Sequence, residues 1–367
     1  MSEIIVVGAG FAGSVIARKL ADSGKKVRVI DRRPHIGGNA YDPLDENGYR
    51  YHKYGPHIFH TNSIEVFQYL SRFTEWRFYE HMVEGYGPAG NFPIPANFHT
   101  LNFLFPEKSA RYISLLKESF PKRSEIYIQQ LMKSVGEIRD LGIVLHELIF
   151  KGYTEKQWGL TLDELGPTVS SRVPIRLNWD SRYFTDTFQF MPSMGYLSLF
   201  ENLLDHQNIS IELGVEFSNN SLNKNSIVFY SGSLDFLMEF RLGLLPYRSL
   251  YFDFKTPDNS PHQKVGQVNY TTKEFSFTRI SEFMHMTGEG KSRIAIEYPL
   301  EYIFGKNEPF YPIPLEINRL RHLEYVDLAR REYPSYYFLG RLASYRYLNM
   351  DQTVAQALRI AEKFLIG

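Results

Sequence analysis

The N-terminus carries the feature that most constrains the fold of this chain. A short apolar run, Ile4–Val7, leads into Gly8-Ala-Gly10-Phe-Ala-Gly13, after which a helical pattern begins. Asp31 ends the next predicted strand, 23 residues after Gly8. A G-x-G-x-x-G turn between a strand and a helix lets the backbone approach a pyrophosphate, which the N–H groups of the helix N-terminus bind, while the acidic residue accepts hydrogen bonds from ribose hydroxyls. The segment therefore predicts a βαβ unit that binds a dinucleotide.

A second glycine pair helps to identify the dinucleotide. Gly37 and Gly38 closely follow the second strand, so the backbone can approach a bound cofactor a second time, as in FAD-binding proteins of the amine-oxidase type. The acidic residue at position 31 disfavours the 2′-phosphate of NADP. An ordinary Gly-Gly turn is the structural alternative. The combined pattern favours FAD and predicts an α/β fold with a Rossmann-like domain.

Composition and charge exclude several classes of function. Among 367 residues, 41 Lys and Arg balance 41 Asp and Glu, so no net charge favours a nucleic-acid partner. The absence of cysteine excludes disulfides and thiolate metal sites. No apolar run reaches the roughly 18 residues that a membrane span needs. We therefore expect a cytoplasmic protein without a membrane span.

Beyond the first βαβ unit, the pattern changes along the chain. From Lys108 to about Phe150 the periodicity is helical, which predicts a helical insertion. Between Tyr247 and Tyr298 the apolar segments are short and rich in aromatic or β-branched residues, which predicts an antiparallel sheet. Its strands are expected at Leu250–Lys255, Val265–Tyr270, Phe275–Ile280 and Arg293–Glu297. Further α/β elements are expected at Gly195–Gln207, Ile209–Leu213 and Ser226–Tyr230, with a last helix over Asp351–Leu365.

Three histidines, His52, His57 and His60, fall within nine positions beside a Tyr-Gly-Pro sequence. A metal site would need ligands of fixed geometry on fixed elements, and a structural histidine is the common alternative. Because Gly-Pro interrupts regular structure, we interpret the segment as a loop that faces the flavin ring.

Aromatic and basic side chains supply candidates for a substrate site. Tyr153 and Trp158 stand among Thr, Lys and Gln, a setting that suits stacking on a base and a pyranose, although the rings could also be core. An arginine among apolar neighbours is either a surface residue or a partner for a diphosphate, because a buried guanidinium must be paired. The arginines of this kind are Arg172, Arg176, Arg248, Arg279 and Arg341. Hydroxyls for the same phosphates are offered by Tyr183, Tyr311 and Tyr347.

Taken in order, these segments resemble the bacterial UDP-galactopyranose mutases over essentially the whole chain. The resemblance lies in residues 8–13, 35–41, 53–61, 151–159 and 340–345, and the sequence Lys-Gly-Tyr-Thr-Glu-Lys-Gln-Trp-Gly at 151–159 is especially typical of that family. It implies an FAD-binding α/β domain, an inserted helical domain and an antiparallel β-sheet domain, with the substrate cleft between them. The implied bounds are 1–80, 190–245 and 330–367 for the FAD domain, 95–180 for the helical lid domain, and 81–94 with 246–329 for the sheet domain.

The resemblance also implies roles for individual residues. Arg172 and Arg279 are the implied catalytic residues, because they correspond to two arginines that clamp the substrate diphosphate. The other implied substrate contacts are His81, Ile149, Phe150, Tyr153, Thr154, Trp158, Tyr183, Arg248, Asn269, Tyr311 and Tyr347. The implied flavin contacts are Gly8, Gly10, Ala12, Gly13, Asp31, Arg32, Gly38, Asn39, His57, Ile58, Val215, Arg341, Leu348, Asn349 and Met350, with His60 supporting the same loop.

The reaction that the resemblance implies is a redox-neutral interconversion of UDP-galactopyranose and UDP-galactofuranose that requires reduced FAD. In that chemistry the flavin N5 is the nucleophile at the anomeric carbon and UDP is the leaving group. The protein holds and neutralises the departing diphosphate, and a loop near Arg172 is expected to close over the substrate. A reductant for FAD is the further implied partner, a homodimer is allowed, and no metal is expected.

Several positions depart from the family pattern. Asn349 stands where many members have aspartate, which alters a flavin contact. His81 and Met82 stand where other members have Asn or Arg, in a segment expected near the sugar, and Ile149 replaces an aromatic residue before Phe150. UDP-N-acetylgalactosamine and dTDP-fucose are therefore alternative substrates. A flavin amine or alcohol oxidoreductase and a nucleotide-sugar binding module are the alternatives from other functional classes.

Overall fold

The structure is a computed structural model that describes residues 3–87, 90–166, 173–219, 225–290 and 293–366. The chain divides into two compact units. The first unit comprises Met1–Tyr79, Asp186–Tyr247 and Glu316–Gly367, and the second comprises Glu80–Thr185 and Arg248–Leu315. Each unit is thus assembled from segments that are distant in sequence.

The regular elements are short, and they are numbered here in chain order. The strands are β1 Ile4–Val7, β2 Val27–Asp31, β3 Phe59–Thr61, β4 Trp76–Phe78, β5 Val83–Gly87, β6 Gly90–Ile94, β7 Glu125–Ile126, β8 Ile175–Arg176, β9 Phe188–Pro192, β10 Ile209–Leu213, β11 Ile227–Tyr230, β12 Tyr247–Lys255, β13 Gln267–Tyr270, β14 Arg279–Glu282, β15 Ile294–Glu301, β16 Tyr311–Pro312 and β17 Tyr336–Phe338. The helices are α1 Phe11–Asp22, α2 Ile64–Leu70, α3 Phe98–Leu104, α4 Ser109–Ser119, α5 Ile128–Met132, α6 Gly136–Leu145, α7 Gly152–Trp158, α8 Leu162–Leu165, α9 Gly195–Leu204, α10 Leu234–Leu237, α11 Phe283–Thr287, α12 Glu316–Glu332, α13 Gly340–Ala343 and α14 Met350–Ile366. A 3₁₀ turn covers Gly38–Ala40, and a π-helical segment, His146–Lys151, joins α6 to α7.

A five-stranded parallel sheet with the order β10-β2-β1-β11-β17 forms the centre of the first unit. Parallel strands covered on both faces are apolar throughout, and Ile5, Val6, Val29, Val228 and Phe229 are fully buried. Helix α1 packs against α9 and α14. The sheet confirms the predicted α/β class and the βαβ unit at the N-terminus.

A small antiparallel sheet, β3-β9-β4, belongs to the same unit. Aromatic rings hold it together: Phe59 stacks on Trp76 with ring centroids 4.7 Å apart, and Phe67 of α2 stacks on Phe188 at 4.4 Å. His52 and His57 lie in the loop that precedes β3, as interpreted from the sequence, but His60 lies within β3 itself, so the loop interpretation is wrong for the third histidine.

The second unit contains a seven-stranded sheet with the order β16-β12-β15-β14-β13-β5-β6. The pairs β12–β15, β15–β14, β14–β13 and β5–β6 are antiparallel, whereas β13 and β5 are parallel. Helices α3 to α7 form the helical part of this unit, and their apolar core includes Leu116, Leu131, Leu141 and Leu145. The predicted helical insertion and the largely antiparallel sheet are both present.

The strand predicted over Phe275–Ile280 is wrong in its first four residues. Residues 275–277 form bends, residue 278 is irregular, and β14 begins only at Arg279. The rings of Phe275 and Phe277 instead pack edge-on against Tyr270, with centroids 4.8 and 4.5 Å apart. Aromatic residues therefore gave a strand-like signal where they cover the end of a hairpin. The three-domain bounds stay a prediction.

No helix in the described ranges combines the length and the apolar character needed to cross a bilayer.

Candidate functional site

The first glycine turn joins β1 to α1 at the carboxyl edge of the parallel sheet, where ligands of such folds bind. Gly8 has a φ of +102°, and its N–H donates to the carbonyl of Ile30 at 2.8 Å. A Cβ added to Gly13 would collide with the carbonyl oxygen of Gly8, so this glycine lets the helix lie close to the strand. The turn thus has the geometry that its spacing predicts.

The second glycine turn packs against the first, backbone to backbone. The N–H of Gly37 donates to the carbonyl of Ala9 at 2.8 Å. A Cβ added to Gly38 would lie 2.9 Å from the Cα of Gly10, closer than such contacts allow. The two turns therefore form one cradle of main-chain atoms, and the absence of side chains at these positions is a steric requirement.

Asp31 fixes this cradle from the end of β2. Its carboxylate accepts from the N–H of Ala9 at 2.7 Å and from the N–H of Arg33 at 2.8 Å, and the residue is buried. Each carboxylate oxygen has a further lone pair, so the predicted hydrogen bond from a ribose remains compatible with the geometry. The first turn of α1 contains no acidic residue, and its N-cap, Gly10, has no side chain to occupy the helix N–H groups. This end of α1 suits an anion.

The C-terminal segment reaches the same cradle. Gly340, with a φ of +82°, leaves only 3.2 Å between an added Cβ and the Cβ of Ala12. Arg341 follows; its Nη2 donates to the carbonyl of Leu348 at 2.8 Å, and its guanidinium lies 4.8 Å from the ring centroid of Tyr347. The structure therefore brings Gly340 to the start of α1, although the two are more than 300 residues apart in sequence.

The remaining predicted flavin residues belong to the same first unit. Asn39 accepts from Nη1 of Arg33 at 2.9 Å, Val215 donates its N–H to the carbonyl of Asp31 at 3.1 Å, and Arg32 is exposed just after β2. The carbonyl of Asn349 accepts from Thr353 at the start of α14, whose first residue is Met350, and Ile58 directly precedes β3. Their contacts with a cofactor stay predictions.

His52 and His57 are hydrogen-bonded to each other, whereas His60 has a different partner. Nδ1 of His52 accepts from the N–H of His57 at 2.9 Å, Nδ1 of His57 lies 2.8 Å from the carbonyl of Gly55, and Nδ1 of His60 lies 2.8 Å from Asp186. Burial holds the pKa of His52 well below its usual range. Among the described residues, no three acidic or histidine side chains are grouped as metal ligands.

Sequence reasoning missed two contributors to the first unit. Ser231 follows β11, and its hydroxyl donates to the carbonyl of Val7 at 2.6 Å, directly beside Gly8. Arg33 lies over the ring of Tyr54 at 4.2 Å and bonds Asn39, so it connects the histidine loop to the second glycine turn. The Ser-Gly-Ser sequence after a strand that neighbours β1 could have indicated the first of these.

In the second unit, the centre of the candidate site is a buried ion pair. Arg279 at the start of β14 faces Glu297 of β15; their Nη2 and Oε2 atoms are 2.6 Å apart, and Nε is 2.8 Å from the same oxygen. Thr278 donates its hydroxyl to the other carboxylate oxygen at 3.2 Å. Burial alone would lower the pKa of Arg279, but Glu297 raises it and keeps it above its usual range.

Tyr153 and Tyr311 interact electrostatically with Arg279 of this pair. Burial raises the pKa of Tyr153, which interacts electrostatically with Arg279 and Glu297 and with the hydroxyls of Tyr183 and Tyr311. Tyr153 is therefore a neutral hydrogen-bond donor at ordinary pH. The structure thus brings together one of the two predicted arginines and three of the predicted substrate tyrosines.

Helix α7 presents further predicted substrate residues. Thr154 and Trp158 are buried, and the ring of Trp158 lies 6.3 Å from that of Tyr311. Ile149 and Phe150, in the preceding π-helical segment, belong to the apolar core of the helical part. Their proposed role as a wall of the base pocket stays a prediction.

Arg248 has a different environment from that of a surface residue. Its Nε donates to the carbonyl of Gln157 at 3.0 Å, and its Nη2 lies 3.4 Å from the carbonyl of Lys156. A guanidinium at the last carbonyls of α7 also complements the negative end of the helix dipole. Gly159 ends the helix with a φ of +69° and leaves room for this side chain.

The other predicted residues of the second unit, Asn269, His81 and Arg176, have partners within that unit. Oδ1 of Asn269 accepts from Nε2 of Gln267 at 2.8 Å, and the carbonyl of the buried His81 accepts from the N–H of Tyr183 at 2.7 Å. Arg176 is almost fully buried and pairs with Glu125 at 3.2 Å, which gives it a structural role between β7 and β8. Tyr347 belongs to the first unit, and Arg172 lies outside the described residues.

Comparisons with known proteins agree with this arrangement. The family described as UDP-galactopyranose mutase matches residues 148–347, and the family described as NAD(P)-binding Rossmann-like domain matches residues 6–73. A probable UDP-galactopyranose mutase of Klebsiella pneumoniae is 39% identical over 99% of this chain and 94% of its own length. A dTDP-fucopyranose mutase of Escherichia coli is 32% identical over 100% of this chain and 99% of its own length. A crystal structure of a reduced UDP-galactopyranose mutase has the same fold, with a TM-score of 0.74 at 15% identity, over 100% of this chain and 94% of that one.

Proposed function

This chain belongs to the UDP-galactopyranose mutase family of flavin-dependent isomerases, and from that premise we propose that it interconverts UDP-galactopyranose and UDP-galactofuranose with reduced FAD. The observation that carries the proposal is the convergence of Arg279 with Tyr153, Tyr183 and Tyr311 in the second unit. A guanidinium and several neutral hydroxyls are the donors that a diphosphate leaving group requires.

The residues of the first unit fit FAD. The main-chain cradle of Gly8, Gly10, Gly13 and Gly38 and the uncapped start of α1 would hold the pyrophosphate, and Asp31 would accept from the ribose. Arg341 would add a positive charge beside the cofactor. When bound in its reduced form, the flavin supplies a nucleophilic N5 for the anomeric carbon of the sugar nucleotide.

The chain's own contribution is to stabilise the departing diphosphate. Glu297 holds the guanidinium of Arg279 by two of its nitrogens, so the charge is in place before the substrate binds and needs no rearrangement during the reaction. Burial raises the pKa of Tyr153, so its hydroxyl stays protonated and donates a hydrogen bond without losing its proton. The diphosphate gains negative charge as the anomeric bond breaks. These groups therefore bind the departing diphosphate more strongly than the intact ester, and this differential binding accelerates the reaction.

The same groups retain UDP while the sugar changes ring size. UDP must remain bound so that the sugar can be recaptured on the same diphosphate, and donors on Tyr153, Tyr183, Tyr311 and Arg279 would hold it near the anomeric carbon. Trp158 beside Tyr311 offers an aromatic surface for the base or the pyranose. As the six-membered ring becomes five-membered, the C5 oxygen leaves the ring and gains a proton while the C4 hydroxyl enters it and loses one, so the protein takes up no net proton.

dTDP-fucopyranose is a second candidate substrate. The relative named dTDP-fucopyranose mutase is matched over essentially the full length of both chains. His81 lies in the segment expected near the sugar, and its ring stands 5.8 Å from that of Tyr183. A sugar that lacks the hydroxyl of galactose at C6 would leave any protein group meant for that hydroxyl without a partner, so the two substrates are distinguishable by rate.

The decisive experiment is an anaerobic incubation of the purified protein with UDP-galactofuranose, with and without dithionite, followed by chromatography of the sugar nucleotides. We expect UDP-galactopyranose only when the flavin is reduced, and no net consumption of reductant. A parallel incubation with dTDP-fucofuranose identifies the second candidate. Oxidation of the sugar, or consumption of one reductant per turnover, would instead identify an oxidoreductase and refute the proposal.

A pair of arginine variants tests the proposed site. Arg279→Ala should abolish conversion while the flavin stays bound, and Arg319→Ala, which removes an exposed guanidinium in α12, should leave conversion unchanged. Conversion at the wild-type rate by the first variant would remove Arg279 from the diphosphate site.

A further inference from the structure

Lys156 lies in α7 with its ammonium group turned towards the β13–β14 hairpin. Its Nζ donates to the carbonyl of Tyr270 at 2.7 Å and to the carbonyl of Phe277 at 2.8 Å. Tyr270 directly follows Asn269, and Phe277 lies two residues before Arg279. One side chain therefore bridges the two ends of the loop that joins β13 to β14.

Partial burial at this position disfavours the charged form of Lys156, and the two hydrogen bonds of the bridge offset that penalty. Burial lowers the pKa of Lys156 to about 8, because removal from water disfavours the charged form. A lysine on a solvated helix face would keep its ammonium in water. Charge-assisted bonds to carbonyls are stronger than neutral ones, so the ammonium form gives the firmer bridge.

Two further contacts join α7 to the same loop. A Cβ added to Gly152 would collide with the carbonyl oxygen of Thr271, so the helix backbone touches the loop backbone. Glu155 pairs with Lys273, whose side chain is largely exposed. Lys156 differs from both because it contacts the two ends of the loop at once.

The two elements that Lys156 joins carry five of the proposed substrate side chains of the second unit. Tyr153, Thr154 and Trp158 lie on α7, whereas Asn269 and Arg279 flank the bridged loop on β13 and β14. We propose that Lys156 is a positioning residue that sets the distance between the substrate-binding face of α7 and the strand ends carrying Asn269 and Arg279. This inference rests on the proposed function, because it assigns to both elements the binding of one sugar nucleotide.

The bridge makes nucleotide affinity depend on pH in the alkaline range. As the pH rises through about 8, Lys156 loses its charge and its bonds to the carbonyls weaken. Other charged or titratable groups on the elements packed around it are His146, Glu147, Lys151, Tyr153, Glu155, Arg248, Tyr270, Lys273, Glu274, Arg279, Glu297, Tyr298 and Glu301. Burial raises the pKa of Tyr270, so its hydroxyl stays protonated in this range, and ionisation of UDP itself affects every variant equally.

The experiment measures UDP binding to the flavin-loaded enzyme by isothermal titration calorimetry at several pH values between 7 and 9. We expect Lys156→Met to raise the Kd at pH 7 about tenfold, the effect of losing charge-assisted hydrogen bonds. The wild-type Kd should rise from pH 7 to pH 9, whereas that of the Met variant should stay level once the ionisation of UDP is taken into account. Lys156→Arg, which keeps its charge, should restore affinity at pH 9.

Lys133→Met is the matched control, since it removes an exposed lysine of the second unit that lies outside α7 and the bridged loop. It should bind UDP as the wild type does, with the same dependence on pH. Flavin absorbance and thermal unfolding of each variant report separately on folding, and a purely structural role would lower the unfolding temperature without removing the pH dependence.

The results distinguish failure of the proposed function from failure of the positioning role of Lys156. If the wild type does not bind UDP, the proposed function fails, and this inference fails with it. If the wild type binds UDP but Lys156→Met has the same affinity or the same pH dependence, the positioning role alone is refuted.

Discussion

The buried pair of Arg279 and Glu297 allows a quantitative prediction for Glu297→Gln. Glu297 is 1% exposed, and the side chain of Arg279 is 18% exposed. Removing one partner of a buried ion pair costs about 3 to 5 kcal/mol, because the other charge is left without compensation. Glutamine keeps one carbonyl oxygen for the guanidinium, and Arg279 retains some contact with water. We therefore expect the free energy of unfolding to fall by about 3 kcal/mol, the lower end of that range.

The assay is urea-induced unfolding followed by circular dichroism, with the midpoint and slope compared between variants. Saturating UDP should reduce the deficit of the variant, because a diphosphate places negative charge beside the guanidinium of Arg279. The matched control is Glu316→Gln, which breaks the exposed pair with Arg319 and should leave the unfolding midpoint unchanged. A loss below about 1 kcal/mol for Glu297→Gln would show that water compensates the guanidinium, and would refute the reasoning.

Three further predictions follow from single contacts. Gly10→Ala should fold but lose flavin, because the added Cβ would lie 3.4 Å or more from protein atoms while it points into the cradle, whereas Gly13→Ala should unfold. Circular dichroism reports on folding and flavin absorbance on cofactor content. Full flavin content in Gly10→Ala would contradict the assigned cradle. Burial raises the pKa of Asp42, which accepts from Tyr196 and Leu197, to about 6. The folded form holds the proton of Asp42 more tightly than the unfolded form, so the contribution of Asp42 to stability is complete at low pH and is lost as the pH rises through 6. Relative to Asp42→Asn, the free energy of unfolding of the wild type should fall by about 2 kcal/mol from pH 4 to pH 7. Parallel profiles of urea unfolding against pH for the two proteins would disprove this. Tyr153→Phe should raise the Kd for UDP about tenfold, through loss of a hydrogen bond to a charged ligand, whereas the exposed Tyr251→Phe should not; equal affinities by calorimetry would exclude the hydroxyl from the site.

The sequence by itself determined those features that depend on neighbours along the chain. The turn at Gly8 to Gly13, the helix that follows and the acidic end of β2 all lie within one βαβ unit, so spacing alone specifies their geometry. The helical insertion was also readable, because apolar periodicity reports which face of a helix is buried. Local context also indicated Arg279, Tyr183 and Tyr311 as candidates for a phosphate site, but no local pattern could show that their side chains meet.

Only the tertiary structure decided which distant groups meet. Arg279 and Glu297 are paired by the register of two strands, and a shift of one residue would turn either side chain to the other face of the sheet. Gly340 lies against Ala12 although the two are distant in sequence, and Arg248 binds the last carbonyls of α7 rather than lying at the surface. Lys156 looked like an ordinary charged residue in a helix, because a hydrogen bond from a side chain to a distant carbonyl leaves no trace in local periodicity. The physical reason is that sequence patterns record burial and local backbone preference, whereas the partners of polar groups are fixed only when the strands and helices pack.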